Sequence, residues 1–205
     1  MEAARRVAEE IHSVLPLLQG EHIVPKNAYE KALCMQLNWQ VFDNRYYDAC
    51  NGESFIEIKK GQGGMHFDML RYAELLLGQG PQDTITVFFR WKKTEKRIVE
   101  AYVIDTKALI RFLRIDKRYA LLYLQVKARV PRGVNILASA TAKDLREIAC
   151  FCIDENGIHA SAESVKAEPA IVRIKKRKWT QSSIKLFLHR KRKSNDKSSI
   201  LYYFF

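Results

Sequence analysis

Apolar side chains recur every three or four positions over residues 2–18, where Val7, Ile11, Val14, Leu15 and Leu18 fall on one stripe. This spacing predicts an amphipathic helix that ends near Pro16 and Gly20. A second helix is expected from Asn27, a good capping residue, with Leu33, Cys34 and Leu37 on its apolar side. The period then changes. Residues 38–47 and 54–60 are rich in aromatic and β-branched side chains and read as two strands on either side of Asn51-Gly52, the dipeptide most typical of a two-residue hairpin. That turn sets Cys50 opposite Glu53, Ala49 opposite Ser54 and Asp48 opposite Phe55.

Beyond a Gly61-Gln62-Gly63-Gly64 connector, the stripe Leu70, Ala73, Leu76 and Leu77 predicts a helix over about residues 65–77, stopped by Gly78 and Gly80. Residues 85–91 and 98–104 read as strands joined by a charged turn, and Asp105 or Thr106 caps a helix that runs to about Leu113. Residues 119–127 look like a further strand. A helix over 141–150 opens on Thr141-x-x-Asp144, which resembles a capping box, and residues 151–153 and 171–174 read as edge strands. The order α-α-β-β-α-β-β-α, with a C-terminal addition, belongs to the α/β class: a mixed central sheet of four or five strands with helices on both faces. The expected divisions are an N-terminal helix in residues 1–26, an α/β domain in 27–174 and a basic tail in 175–205.

Charge sharpens that last boundary. The net charge is +12, yet residues 171–205 hold 11 of the 35 basic side chains and a single acid, Asp196. Residues 1–170 are left nearly neutral, with 24 basic against 22 acidic side chains. Two clusters, Lys175, Lys176, Arg177 and Lys178, then Arg190, Lys191, Arg192 and Lys193, are separated by an 11-residue spacer. The layout is similar to a bipartite nuclear localisation signal, and the same cations suit a polyanion. Nuclear placement is expected in a eukaryotic cell and cytoplasmic placement otherwise. No run of 18 apolar residues and no signal-peptide layout occurs, so no membrane association is expected. Cys34, Cys50, Cys150 and Cys152 form no C-x-x-C pair, and reduced thiols rather than a zinc site are expected.

The candidate chemistry sits in the hairpin. Alternation places Phe55, Glu57 and Lys59 on one face of the second strand, with Ile56 and Ile58 on the other. In the expected register Asp48 is a diagonal neighbour of Glu57, about 7–8 Å away, near enough for both carboxylates to hold one hard cation. Asp43 has the wrong parity. An ordinary solvated Glu–Lys pair would contribute only a few tenths of a kcal/mol, roughly. Against that reading, Ile56 and Ile58 demand a buried face. Glu30 has two readings of equal weight: a capping-box partner for Asn27, or a carboxylate turned inward toward the sheet.

Asp48, followed by Glu57-Ile58-Lys59, resembles the D…(D/E)-x-K signature of the PD-(D/E)xK, or restriction-endonuclease-like, nuclease superfamily, and the resemblance covers about residues 26–113. It implies a restriction-endonuclease-like core and a metal-dependent endonuclease acting on DNA. It further implies that Asp48, Glu57 and the Ile58 carbonyl hold Mg²⁺, with Mn²⁺ as an alternative, that Lys59 orients the attacking water, and that Glu30 joins the metal site through a water. Many enzymes of this kind cut both strands as homodimers. Tyr47 stands where the family name has proline, and Asp68 stands where many relatives carry glutamine in a Q-x-x-x-Y-like pattern. Lys60 points to the opposite face and is assigned to the DNA backbone at most. Lys107 and Arg111, with Arg114, form a ridge suited to phosphates. Two rival functions remain: a non-catalytic nucleic-acid-binding module on a nuclease-like scaffold, and a nuclear interaction protein.

Overall fold

The amphipathic stripe at the start of the chain folds as α1 (Glu2–Val14), which buries Val7, Ala8 and Ile11 completely, and Pro16 ends it in a 3-10 turn at Leu15–Leu17. The structure, a computed structural model, describes residues 1–20, 28–81, 83–129 and 136–160 of the 205-residue chain. The tail clusters, the expected strand at 171–174 and the Asn27 cap lie outside the described residues. After α2 (Ala28–Leu37) come three strands: β1 (Gln40–Val41), β2 (Ala49–Cys50) and β3 (Phe55–Gly61). The expected single strand over 38–47 is thus interrupted. Asn44 turns the chain, its Oδ1 accepting hydrogen bonds from the Tyr46 and Tyr47 amides, as asparagine does in an Asx turn.

The connection between β2 and β3 is also longer than its sequence predicts. Ala49 pairs with Ile56 and Cys50 with Phe55, so the loop has four residues and the register moves by two. Only Gly52 takes a positive φ, of 94°, whereas a type I′ turn needs one at Asn51 as well. Asn51 is occupied otherwise. Its Oδ1 accepts from the amides of Glu53 and Ser54, and its Nδ2 donates to Glu10 on α1, tying the loop to the helix.

Residues 64–68 form β4 (Gly64–Asp68) and not the start of a helix, because Met65 and Phe67 alternate into the core while His66 faces out. The helix, α3 (Met69–Leu76), begins only where Asp68 accepts from the Leu70 amide as its N-cap. Two longer strands follow, β5 (Thr84–Lys92) and β6 (Arg97–Asp105), and then α4 (Thr106–Phe112), capped by Asp105. Residues 117–129, expected as a strand, are the helix α5 (Lys117–Arg129). Asp116 accepts from the Tyr119 amide at its start, and Ala, Leu, Gln, Lys and Arg there are strong helix formers. The chain continues as β7 (Leu137–Thr141), α6 (Ala142–Ile148) with the expected Thr141–Asp144 capping box, β8 (Phe151–Asp154) and β9 (Gly157–Ala160).

Seven strands form one mixed sheet in the order β1-β2-β3-β5-β6-β8-β9, with β3 and β5 parallel and the other neighbours antiparallel, while β4 and β7 pair separately. This is the mixed central sheet flanked by helices that the pattern predicts, with more strands. On one face α1 and α2 cover Ile56, Ile58, Val87, Phe89, Ala101 and Val103. On the other, α3 to α6 and the β4–β7 pair cover Phe88, Tyr102 and Ile104. Ile56 and Ile58 are fully buried, each contributing about 1.5–3 kcal/mol.

The glycines beside β4 permit a close approach. A Cβ on Gly64 would overlap the Ala140 carbonyl oxygen and stand 2.9 Å from Thr141 Cα. Gly64→Ala is therefore expected to cost about 1–3 kcal/mol, read as a lower urea midpoint at unchanged slope. An unchanged midpoint would mean that β7 yields freely.

Candidate active site

The chain just before β2 and the middle of β3 bring two carboxylates, Asp48 and Glu57, to one lysine, Lys59. Ala49 is the last residue of β2 to pair with β3, opposite Ile56, and the Asp48 amide also donates to the Ile56 carbonyl, at 2.9 Å, so the regular pairing breaks at Asp48, as at a β-bulge. The backbone ladder stops here. The Asp48 carbonyl accepts from Phe42, and the Ile58 amide donates instead to the Asp48 side chain, Oδ2, at 2.7 Å. One carboxylate oxygen thereby replaces a missing ladder acceptor, which fixes the side chain's direction. The Ile58 carbonyl faces the same strand edge, since both polar groups of a strand residue point to one side.

Lys59 joins them as the alternation predicts. Its Nζ is 3.8 Å from Asp48 Oδ2 and pairs directly with Glu57 Oε1. Glu57 is 3% exposed, and its second cation is Arg71 of α3, whose Nη1 also bonds Oε1 and whose Nη2 donates to the Tyr46 carbonyl. Arg71 is itself only 6% exposed, and its Nε has no hydrogen-bond partner among the described residues. Removal from water raises the Glu57 carboxyl to about 7 despite the pull of Arg71 and Lys59, with the Asp48 charge pushing the same way as burial. A buried acid held by two cations is an arrangement that needs a structural or a chemical reason.

These groups open to solvent in a pocket of about 290 Å³ lined by Asp48, Glu57, Lys59, Arg71, Arg45, Asn44, His66 and Asp68, among others. The sequence reading missed Arg71, Arg45 and His66 altogether, and took Asp68 only as a departure from a family pattern. Arg71 left one signal: an arginine inside the apolar run Met69–Leu76 must find a buried acid or break the helix's packing. Arg45 Nε bonds Glu74 at 2.7 Å, while His66 Nδ1 lies 2.7 Å from Ser139 Oγ.

Glu30 does not line this pocket. It lies on α2, where its charge acts on Tyr29 and on Lys60, and both of these stand on the opposite face of the sheet. Lys60 has its Nζ 4.2 Å from the Tyr29 ring centroid and 5.1 Å from that of Trp91. Burial pulls the Lys60 ammonium below the usual lysine range. Its charge is thus engaged with two rings. Lys107 and Arg111 are exposed on α4, with Lys107 Nζ 2.8 Å from Asp83 Oδ1. Arg114 leaves their row, taking a left-handed φ of 53° just past the helix.

No protein-family model matches the chain, and no curated protein or solved structure matches it either. Among the described residues no group of three or more His, Cys, Asp or Glu side chains stands ready to hold a metal ion. The donor set at hand is two neighbouring carboxylates and a backbone carbonyl. It fits a small hard cation that keeps waters and shares substrate oxygens, as Mg²⁺ does.

Proposed function

We propose that the chain is a metal-dependent endonuclease that hydrolyses DNA phosphodiester bonds, with a restriction-endonuclease-like core. One observation carries this reading: Asp48, Glu57 and Lys59 converge from two strands in an open pocket, with Glu57 almost wholly buried. Asp48, Glu57 and the Ile58 carbonyl would hold Mg²⁺, or Mn²⁺ in its place. Such an ion supplies positive charge against the phosphorane-like transition state and lowers the pKa of water. Lys59, within reach of both carboxylates, orients the attacking water and adds charge stabilisation. Arg71 anchors Glu57 from behind, so that the carboxylate keeps its direction when Lys59 turns to the substrate. Lys107, Arg111 and the tail clusters contribute sequence-independent phosphate contacts.

A second reading draws on the same network. Lys59 and Arg71 already neutralise Glu57, and a purely structural ion cluster would be arranged likewise. In that case the chain is a non-catalytic nucleic-acid-binding module. Plasmid DNA separates the two: the nuclease nicks or linearises it in Mg²⁺ and not in EDTA. Binding that weakens steeply with salt, without any cleavage, would leave only the module.

A further inference from the structure

We propose that the aromatic shelf beside the pocket, Phe42, Tyr47 and Phe55, stacks an unpaired base, which makes the substrate DNA with a single-stranded segment at the cleavage point. This rests on the nuclease reading and deepens it. Phe55 begins β3 two residues before Glu57 and on the same face, about 7 Å away along the strand. It is 36% exposed on a strand whose next three residues are buried. The Tyr47 ring lies 4.6 Å from it, tilted by 45°, and Phe42 meets Tyr47 edge-on at 5.2 Å.

The shelf is tied to the site by short links. Tyr47 is the residue before Asp48, and Phe42 donates its amide to the Asp48 carbonyl at 2.9 Å. Arg71, which grips Glu57, also holds the Tyr46 carbonyl. A phosphate drawn to Lys59 and Arg45 at the pocket would therefore leave its neighbouring nucleotide over Phe55. Only an unpaired base can use it. Bases inside a duplex stack on one another and present edges to the grooves, whereas a splayed base offers its whole face to an aromatic ring. Tyr47 adjoins the pocket-lining Asp48 and Phe55 stands two residues before Glu57, which favours a nucleotide as the occupant, and stacking predicts tolerance of base identity.

The test uses the full chain with Ca²⁺ in place of Mg²⁺ to allow binding without cleavage, on oligonucleotides carrying 2-aminopurine in a flap or gap. The fluorophore is expected to be quenched on binding, and the flapped DNA to bind about tenfold or more tightly than a blunt duplex of equal length. Phe55→Ala and Phe55→Leu should both remove quenching and preference, while Phe55→Trp keeps them, with thermal melts confirming folded protein. The leucine variant matters because it keeps apolar bulk without a ring. Preference retained by Phe55→Leu, or equal affinity for flap and duplex, would overturn the shelf's role. Cleavage of plain duplex in Mg²⁺ with no effect of these variants defeats this inference and leaves the nuclease standing. Stacking with no cleavage of any DNA overturns the nuclease reading and with it the cleavage point, leaving the shelf a base-binding surface only.

Discussion

Asp48→Asn and Glu57→Gln are each expected to reduce DNA cleavage roughly a hundredfold or more while the protein stays folded. Both replacements keep shape and hydrogen-bonding capacity but remove a negative charge from a two-carboxylate donor set, and a hard cation's charge stabilisation is worth several kcal/mol. The Glu57 variant carries a second signature. Its carboxyl is raised by burial to about 7, well above the usual glutamate range, so the fold favours the protonated form. The stability this confers is fully present below the unfolded value and is lost as pH rises through about 7. Wild-type stability should therefore decline across that window, and Glu57→Gln should flatten the decline. At low Mg²⁺, wild-type cleavage should climb over the same window, because only the ionised carboxylate is a ligand. Urea midpoints from pH 4 to 9, with single-turnover rates beside them, check both. Full activity in either variant would end the site assignment, and parallel pH profiles for the two proteins would show that Glu57 is not the titrating group.

The site could be read from sequence because it depends on parity, and parity survived a wrong register. Counting Asn51-Gly52 as the whole turn placed Asp48 opposite Phe55. The four-residue loop moves the pairing by two and the ladder breaks at Asp48, yet Asp48 and Glu57 still meet at Lys59. A slip of one would have separated them. What misled was tertiary: Asn51 prefers bonds to Glu53, Ser54 and Glu10 over the conformation its dipeptide favours in isolation. The same holds for residues 65–68. Met65 and Phe67 alternate as in a strand, but the pattern is too short to stand against the helical stripe that follows, and its partner β7 lies about 70 residues away, at Ala138 and Ala140. For α5 the apolar run from Tyr119 to Leu124 fits either period, and only Ala120 is buried, so the periodicity had little burial behind it. Arg71 was hidden for the opposite reason: a side chain 6% exposed takes its meaning from Glu57, and no spacing along the chain joins the two.

Lys59→Ala is expected to abolish cleavage while metal binding is largely kept, whereas Lys60→Ala should leave cleavage nearly intact and cost stability instead. The two lysines are adjacent, yet the strand turns them to opposite faces. Lys59 reaches Glu57 and Asp48, and in its absence Arg71 still holds Glu57, so the carboxylate pair remains in place as a ligand set. What is lost is a cation aimed at the attacking water, an interaction that matters only in the transition state and therefore lowers the rate without changing the metal titration. Lys60 sits instead between Tyr29 and Trp91, where a cation over two rings contributes about 0.5–2 kcal/mol. Its removal should appear as a lower urea midpoint. Single-turnover cleavage, Mg²⁺ titration by calorimetry and urea melts of both variants decide the matter. Equal and mild losses of activity would reduce both lysines to phosphate contacts and leave the proposed hydrolysis without a group to position its water.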